Sequence, residues 1–196
     1  MAWYKEYFKP LIDFMLAAIM IIVLSPLLLI LTIINWIIFG KPLFIHQRVG
    51  YREELFSFIK FRSMKIDGDE SSIPRWGKLI RFSSLDELPQ LINILRGEMS
   101  FVGPRPLLKE YLNFYNPRQR KRHLVKPGIT GLAQVSGRNR LSWKESLEFD
   151  AQYSEACSFL MDLKILLRTF PQLFKLGDVN HQIDKSRKAF NEEMNQ

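Results

Sequence analysis

The sequence predicts a mostly helical α/β protein, in which an amino-terminal membrane helix joins a small domain with a short sheet and amphipathic interfacial helices. Three observations carry this. From Phe14 to Gly40 no residue is charged, a run of about 27 residues and roughly 40 Å of helix. After Gly40-Lys41-Pro42 the pattern breaks into short segments, of which Leu43–Gln47 and Leu55–Arg62 read as strands. Later segments space their apolar residues at helical intervals between glycine and proline breakers.

The apolar run exceeds the ~20 residues that a bilayer span needs. It is too long for a cleaved signal peptide and has no small-residue cleavage site after it, so it is expected to be retained. Ser25-Pro26 lies in its middle, where proline removes a backbone donor and predicts a kink or a break. Lys5 and Lys9 precede the run, and Lys41, Arg48 and Arg52 follow it. Basic flanks on both sides suit a bent helix that enters and leaves through the cytoplasmic leaflet, whereas a spanning helix is normally asymmetric. A single span with a tolerated proline kink fits the same composition.

Beyond the strands, residues from Lys65 to Pro74 read as a turn-like region. Helices are expected from Leu85 to Arg96, with Gly97 as C′, and over Leu107–Tyr115, Pro117–Val125, Trp143–Tyr153 and Phe159–Leu173. The end from Gly177 is polar and expected to be loose. With 28 Lys+Arg against 20 Asp+Glu the net charge is +8, which suits an anionic partner. The single cysteine, Cys157, excludes an internal disulfide framework and reads as a buried apolar residue. His46, His123 and His181 lack metal-ligand spacing.

Chemistry concentrates in Arg81-Phe82-Ser83-Ser84-Leu85-Asp86-Glu87-Leu88-Pro89-Gln90. Ser84 followed by Glu87 is a capping-box pattern and on its own explains both residues. The competing reading places two adjacent carboxylates at a helix start, where the dipole keeps at least one ionised. Such a carboxylate can attack phosphorus, and its neighbour can hold a divalent metal that neutralises phosphates. In Gly103-Pro104-Arg105-Pro106 two prolines preset an arginine fork suited to phosphate, although the same four residues also describe a surface turn. The glycines of Pro127-Gly128-Ile129-Thr130-Gly131 and Gly137-Arg138-Asn139 permit tight turns and close approach to a ligand. They match neither the P-loop nor the dinucleotide fingerprint, so no ATP or NAD site is indicated.

Taken in order, Lys60-Phe61-Arg62-Ser63-Met64, Arg81 with Ser84-Leu85-Asp86-Glu87-Leu88-Pro89-Gln90, Met99 to Pro106, and Pro127 to Gly131 with Gly137-Arg138-Asn139 resemble the bacterial sugar transferases. These are the small monotopic phosphoglycosyl transferases of the bacillosamine-phosphate transferase type, and the resemblance runs from about Phe8 to Leu173. It implies a re-entrant membrane helix over residues 1–40, broken at Ser25-Pro26, a cytoplasmic catalytic domain over 41–176 and a tail over 177–196. It also implies transfer of a sugar-1-phosphate from a UDP-sugar to polyprenyl phosphate with release of UMP, the first membrane step of bacterial glycoconjugate synthesis. The enzyme would act at the cytoplasmic face of the inner membrane, among phospholipids, with downstream glycosyl transferases as further partners. By the same resemblance Asp86 is the nucleophile of a ping-pong reaction, and Glu87 holds Mg²⁺ or handles the acceptor proton, with both acids as metal ligands. Arg81 and Arg105 would bind phosphate or nucleotide, and Lys60, Arg62 and Arg138 occupy other motif positions. The loop from Asp69 to Pro74 is short, which leaves the choice of sugar open.

Two other functions fit parts of the chain. Arg118, Arg120, Lys121, Arg122, His123 and Lys126 form a basic run that reads as a helix face toward anionic lipid. It lacks the interleaved aromatics that stack on bases, so nucleic acid is not an expected partner. A glycosyl transferase that moves only the sugar would release UDP instead of UMP.

Overall fold

The computed structural model describes residues 3–64, 73–137, 140–174 and Phe190. A π-helical turn, Tyr4–Phe8, leads into α1, Lys9–Phe39, which Gly40 ends in the left-handed conformation at φ +70°. The helical hydrogen-bonded segment runs through Ser25-Pro26, where a kink or a break is expected. Pro26 has no N–H for the Ile22 carbonyl, and the Ser25 hydroxyl donates to that carbonyl at 2.8 Å instead.

One stripe of α1 faces the rest of the protein. Ala17, Met20, Ile21 and Leu24 pack on Phe56, Phe58, Leu91, Ile94 and Met99. A turn or two later Leu27, Leu28 and Leu31 pack on Phe61, Ile80, Leu85 and Leu88. The other sides of α1, including Ile22, Val23, Ile33 and Ile37, are exposed. Among the described residues α1 with its leading turn is the one helix long and apolar enough to cross a membrane.

Strands β1, Leu43–Val49, and β2, Leu55–Phe61, form an antiparallel hairpin in register from Leu43 opposite Phe61 to Val49 opposite Leu55. Helix α2, Arg75–Phe82, was not foreseen, because it is short and carries Gly77. A Cβ at Gly77 would stand 2.0 Å from the Ser63 carbonyl oxygen, so glycine lets α2 lie against the chain leaving β2. The expected helix from Leu85 to Arg96 is two pieces, a 3₁₀ turn Leu85–Glu87 and α3, Gln90–Leu95. Pro89 supplies no N–H where they meet, and Gly97, at φ +74°, ends α3 as expected.

A second sheet pairs β3, Ser100–Val102, in parallel with β4, Gly128–Thr130. Three-residue strands are too short to show a period, so the sequence did not reveal them. Leu107–Tyr115, expected as an amphipathic α-helix, is a 3₁₀ segment at Lys109–Phe114. The next helix is α4, Pro117–Arg120, started by an Asn116/Gln119 capping box and continued as a 3₁₀ turn over Lys121–Leu124. Short α5, Leu132–Ser136, sits within the glycine-rich stretch. Then follow α6, Trp143–Ala156, with a Ser142/Glu145 capping box, and α7, Phe159–Phe174, both as expected. On α7, Phe159, Leu160, Leu163, Leu166, Leu167 and Phe170 form an exposed apolar stripe at i, i+3, i+4 spacing, the mark of an interfacial helix.

Most of the basic run is paired with acids. Arg118 pairs with Glu148 at 2.6 Å, Arg120 with Glu53 at 2.7 Å and Lys121 with Glu155 at 2.7 Å. Arg122 is buried against Asp150 at 2.8 Å, and His123 meets the Gly50 carbonyl at 3.0 Å. The acids that neutralise the run come from α6 and from the β1–β2 turn, which lie far away in sequence. Cys157 is fully buried, in keeping with its apolar reading, and burial pushes its thiol pKa up.

Candidate active site

Four segments converge on the paired carboxylates. Strand β2 carries Lys60, the last turn of α2 carries Arg81, the 3₁₀ turn holds Asp86 and Glu87, and the loop after β3 presents Arg105. Asp86 is 6% exposed. Burial, and then the charge of Glu87, push its pKa up to about 6, while Lys60, Arg81 and Arg105 pull the other way. Burial pushes the Lys60 pKa down, opposed by Asp86 and Glu87. The two shifts have one geometry behind them: two acids and three cations share a partly dry cleft.

The capping box read from Ser84 and Glu87 is not formed. Ser84 has φ +56° and its side chain makes no capping bond. The acids therefore sit on a three-residue 3₁₀ turn and not in the first turn of a long helix, and burial is the largest influence on the Asp86 pKa. A non-glycine residue held in the left-handed region next to a buried acid is local strain of the kind found at functional sites. The Glu87 carboxylate lies 3.4 Å from the Arg105 guanidinium, whose side chain is 54% exposed and open to a ligand.

Backbone packing sets the Arg105 loop. A Cβ at Gly128 would stand 2.1 Å from Gly103 N, and one at Gly131 would stand 2.2 Å from Gly103 O. Those glycines, expected to let a ligand approach, let the chain approach itself. Ser100 N donates to Pro127 O at 2.8 Å, Gly103 N to Thr130 O at 2.8 Å, and Gly128 N to Pro104 O at 3.0 Å. Arg122 donates from Nη2 to the Arg105 carbonyl at 2.6 Å, so a buried ion pair fixes the loop from behind.

The remaining expected residues stand differently. Arg62 follows β2, and its Nε is buried without a hydrogen-bond partner among the described residues; the largest charge effects on Asp86 and Lys60 come from other groups. Arg138 lies outside the described residues. Arg48, read only as a basic flank, ends β1 close enough to Arg105 for that charge, after burial, to push its pKa down. Asn35 was also missed, though a lone amide in an apolar run is a signal. It is 1% exposed, donates to Pro42 O at 3.1 Å and Arg62 O at 2.9 Å, and accepts from Trp76 Nε1 at 2.6 Å. It ties the end of α1 to the strand and helix that carry Lys60 and Arg81.

The profile of the family described as bacterial sugar transferase matches residues 4–176. The chain is 42% identical over 170 residues to an uncharacterized sugar transferase, EpsL, of Bacillus subtilis, covering 82% of this chain and 84% of that protein. It is 35% identical over 184 residues to the UDP-glucose:undecaprenyl-phosphate glucose-1-phosphate transferase of Caulobacter vibrioides, covering 84% of this chain and 69% of that one. It is 34% identical over 190 residues to the undecaprenyl-phosphate galactose phosphotransferase of Salmonella typhimurium, covering 84% of this chain and 40% of that protein.

Proposed function

The chain belongs to the bacterial sugar transferase family, and from that premise we propose that it transfers a sugar-1-phosphate from a UDP-sugar to undecaprenyl phosphate through a phosphosugar on Asp86. The observation that carries this is Asp86 itself, a buried carboxylate with a raised pKa beside Lys60, Arg81 and Arg105. A group with pKa about 6 is ionised near neutrality yet poorly solvated, which favours attack on phosphorus. In the first half-reaction an Asp86 oxygen bonds the β-phosphorus, the bond from that phosphorus to the bridging oxygen breaks, and UMP leaves with the electron pair. In the second half-reaction an oxygen of the polyprenyl phosphate bonds the same phosphorus and the Asp86 carboxylate is released. Both halves need positioning and charge neutralisation above all.

Arg81 and Arg105 are suited to the diphosphate, with Lys60 beside the transferred group. The pairing of Glu87 with Arg105 in the free enzyme gives each a partner that an incoming phosphate can replace. Asp86 and Glu87 together offer hard oxygen donors whose mutual repulsion a divalent cation relieves. Two carboxylates with substrate phosphates match the way Mg²⁺ is usually held, and when bound it neutralises the diphosphate. Asp86 and Glu87 are the residues assigned to it here.

For the membrane segment we propose re-entry from the cytoplasmic face. The support is that both ends of α1 are bonded to the catalytic domain. Near the start, Lys9 Nζ lies 2.6 Å from Asp162 Oδ2, and Phe101 N lies 3.4 Å from Asp13 Oδ1. Near the end, Asn35 holds Pro42, Arg62 and Trp76. A shallow anchor brings a soluble nucleotide sugar and an interfacial lipid phosphate to one cleft.

The test is incubation with a panel of radiolabelled UDP-sugars and Mg²⁺ without acceptor. A burst of UMP and hydroxylamine-labile label on the protein are expected. Turnover with acceptor but neither signal without it would replace the covalent route by direct attack, and UDP as product would replace the reaction.

A further inference from the structure

We infer that Phe190 is a positioning residue for the phosphate-binding loop, because it fills an aromatic box whose one wall holds the arginine that fixes Arg105. This rests on the functional reading above. Phe190 is 4% exposed and stacks on Tyr111 with ring centroids 3.9 Å apart and planes 9° from parallel. Trp143 meets it edge-on at 4.9 Å, Phe114 at 5.8 Å and Tyr115 at 6.2 Å. The three edge-on contacts are of the favourable kind, and four rings around a fifth define its place sharply.

The box leads directly to the site. The Tyr115 ring touches both Phe190 and the Arg122 guanidinium, which stands 5.6 Å from the ring centre. The Tyr115 hydroxyl accepts from Arg122 Nη1 at 3.2 Å. Arg122 Nε and Nη2 bind Asp150 Oδ2 at 3.1 and 2.8 Å, and Nη2 also reaches the Arg105 carbonyl at 2.6 Å. Asp150 neutralises Arg122, and Tyr115 sets the tilt of its fork, so the Arg105 carbonyl receives a donor at a fixed angle. A second link runs through Leu107, which packs in the same cluster and accepts from Val49 N at 3.1 Å, next to Arg48. Emptying the box removes an edge-on ring contact from Tyr115 and the stacking partner of Tyr111. The Arg105 loop then loses a support that the glycine-to-glycine packing on its other side does not replace.

The experiment uses the full chain in lipid nanodiscs as wild type, Phe190→Ala and Phe190→Leu. Amide exchange is read over Arg105–Leu108 and, as a reference, over Gln90–Leu95; KM and kcat are measured for the nucleotide sugar. In Phe190→Ala, exchange should rise over Arg105–Leu108 and not over Gln90–Leu95. KM should rise on the order of tenfold with kcat changed less, below the 10²-fold that a full 1 Å misplacement can cost. Phe190→Leu, which restores part of the volume without a ring, should fall between the two. Unchanged exchange over Arg105–Leu108, or an equal rise over both segments, overturns the inference. A wild type that releases no UMP from any UDP-sugar overturns the proposed function while the exchange result still decides this one.

Discussion

At Asp86 stability and reactivity pull in opposite directions. Its pKa in the folded protein, about 6, lies above the ordinary 3.8, so the fold prefers the protonated acid. The stabilising contribution of that proton is full below pH 3.8 and is lost as pH rises through about 6. Ionised Asp86 thus costs folding roughly 3 kcal/mol near neutrality. Asp86→Asn should abolish turnover, raise the melting temperature at pH 8 and lose that advantage by pH 4, as thermal unfolding across pH would reveal. A melting temperature lowered at pH 8 would remove the buried, ionised nucleophile. If the ionised form attacks, kcat/KM of the wild type should fall about tenfold per pH unit below about 6. For the phosphate clamp proposed at Arg105 the demand is shape more than charge, since an ammonium cannot bind phosphate bidentately. Arg105→Lys should therefore recover only part of the activity that Arg105→Ala loses, and kinetics equal to wild type would remove the clamp. Asp86, Glu87, Lys60, Arg81 and Arg105 were legible because their motifs stand in a fixed order. The strain at Ser84 was not, because the same letters spell a capping box and only backbone geometry tells the two apart.

Elements position these residues through contacts that leave faint marks in sequence. Both strands of the hairpin and the helices α6 and α7 were legible, since each is long enough to show its period. The β3–β4 pair was not, and it carries the Arg105 loop. Its logic is three glycines brought together from separate motifs, so that Gly103 and Gly128 touch through backbone alone. Gly128→Ala should then cost about 3 kcal/mol or more and activity with it, although Gly128 touches no substrate in this scheme. A variant that melts like wild type would refute the close packing. Asn35 works in the same way for α1. Asn35→Asp should be worse than Asn35→Ala, because it removes two donations to carbonyls and buries a charge, where Ala leaves polar groups unpaired at about 2–4 kcal/mol. Equal melting temperatures of the two variants would argue against the latch.

At the scale of the whole molecule, the question is how an apolar helix of this length sits against its domain. Composition alone allowed a span or a re-entrant bend, and the +8 charge drew attention to a basic run that turned out to be occupied by α6 acids and Glu53. What composition does not reveal is which residues hold the two ends of α1. Asp162 on α7 accepts from Tyr4 at 2.6 Å and from Lys9 at 2.6 Å, and the Tyr153 hydroxyl completes its shell at 2.6 Å. Lys9, Asp13 and Asp162 are all buried, so separating α1 from α7 would leave charges without partners at a cost of several kcal/mol. At the far end Asn35 binds the residues that begin β1 and follow β2. A straight span would carry one of these two polar clusters across the bilayer and away from the domain that satisfies it. Trp3→Cys and Lys144→Cys, introduced with Cys157 replaced by Ala, should therefore both react with an impermeant maleimide added from the cytoplasmic side of inverted vesicles. If Trp3→Cys reacts only from the opposite side, α1 spans, and the Lys9–Asp162 pair cannot exist in the membrane-bound enzyme.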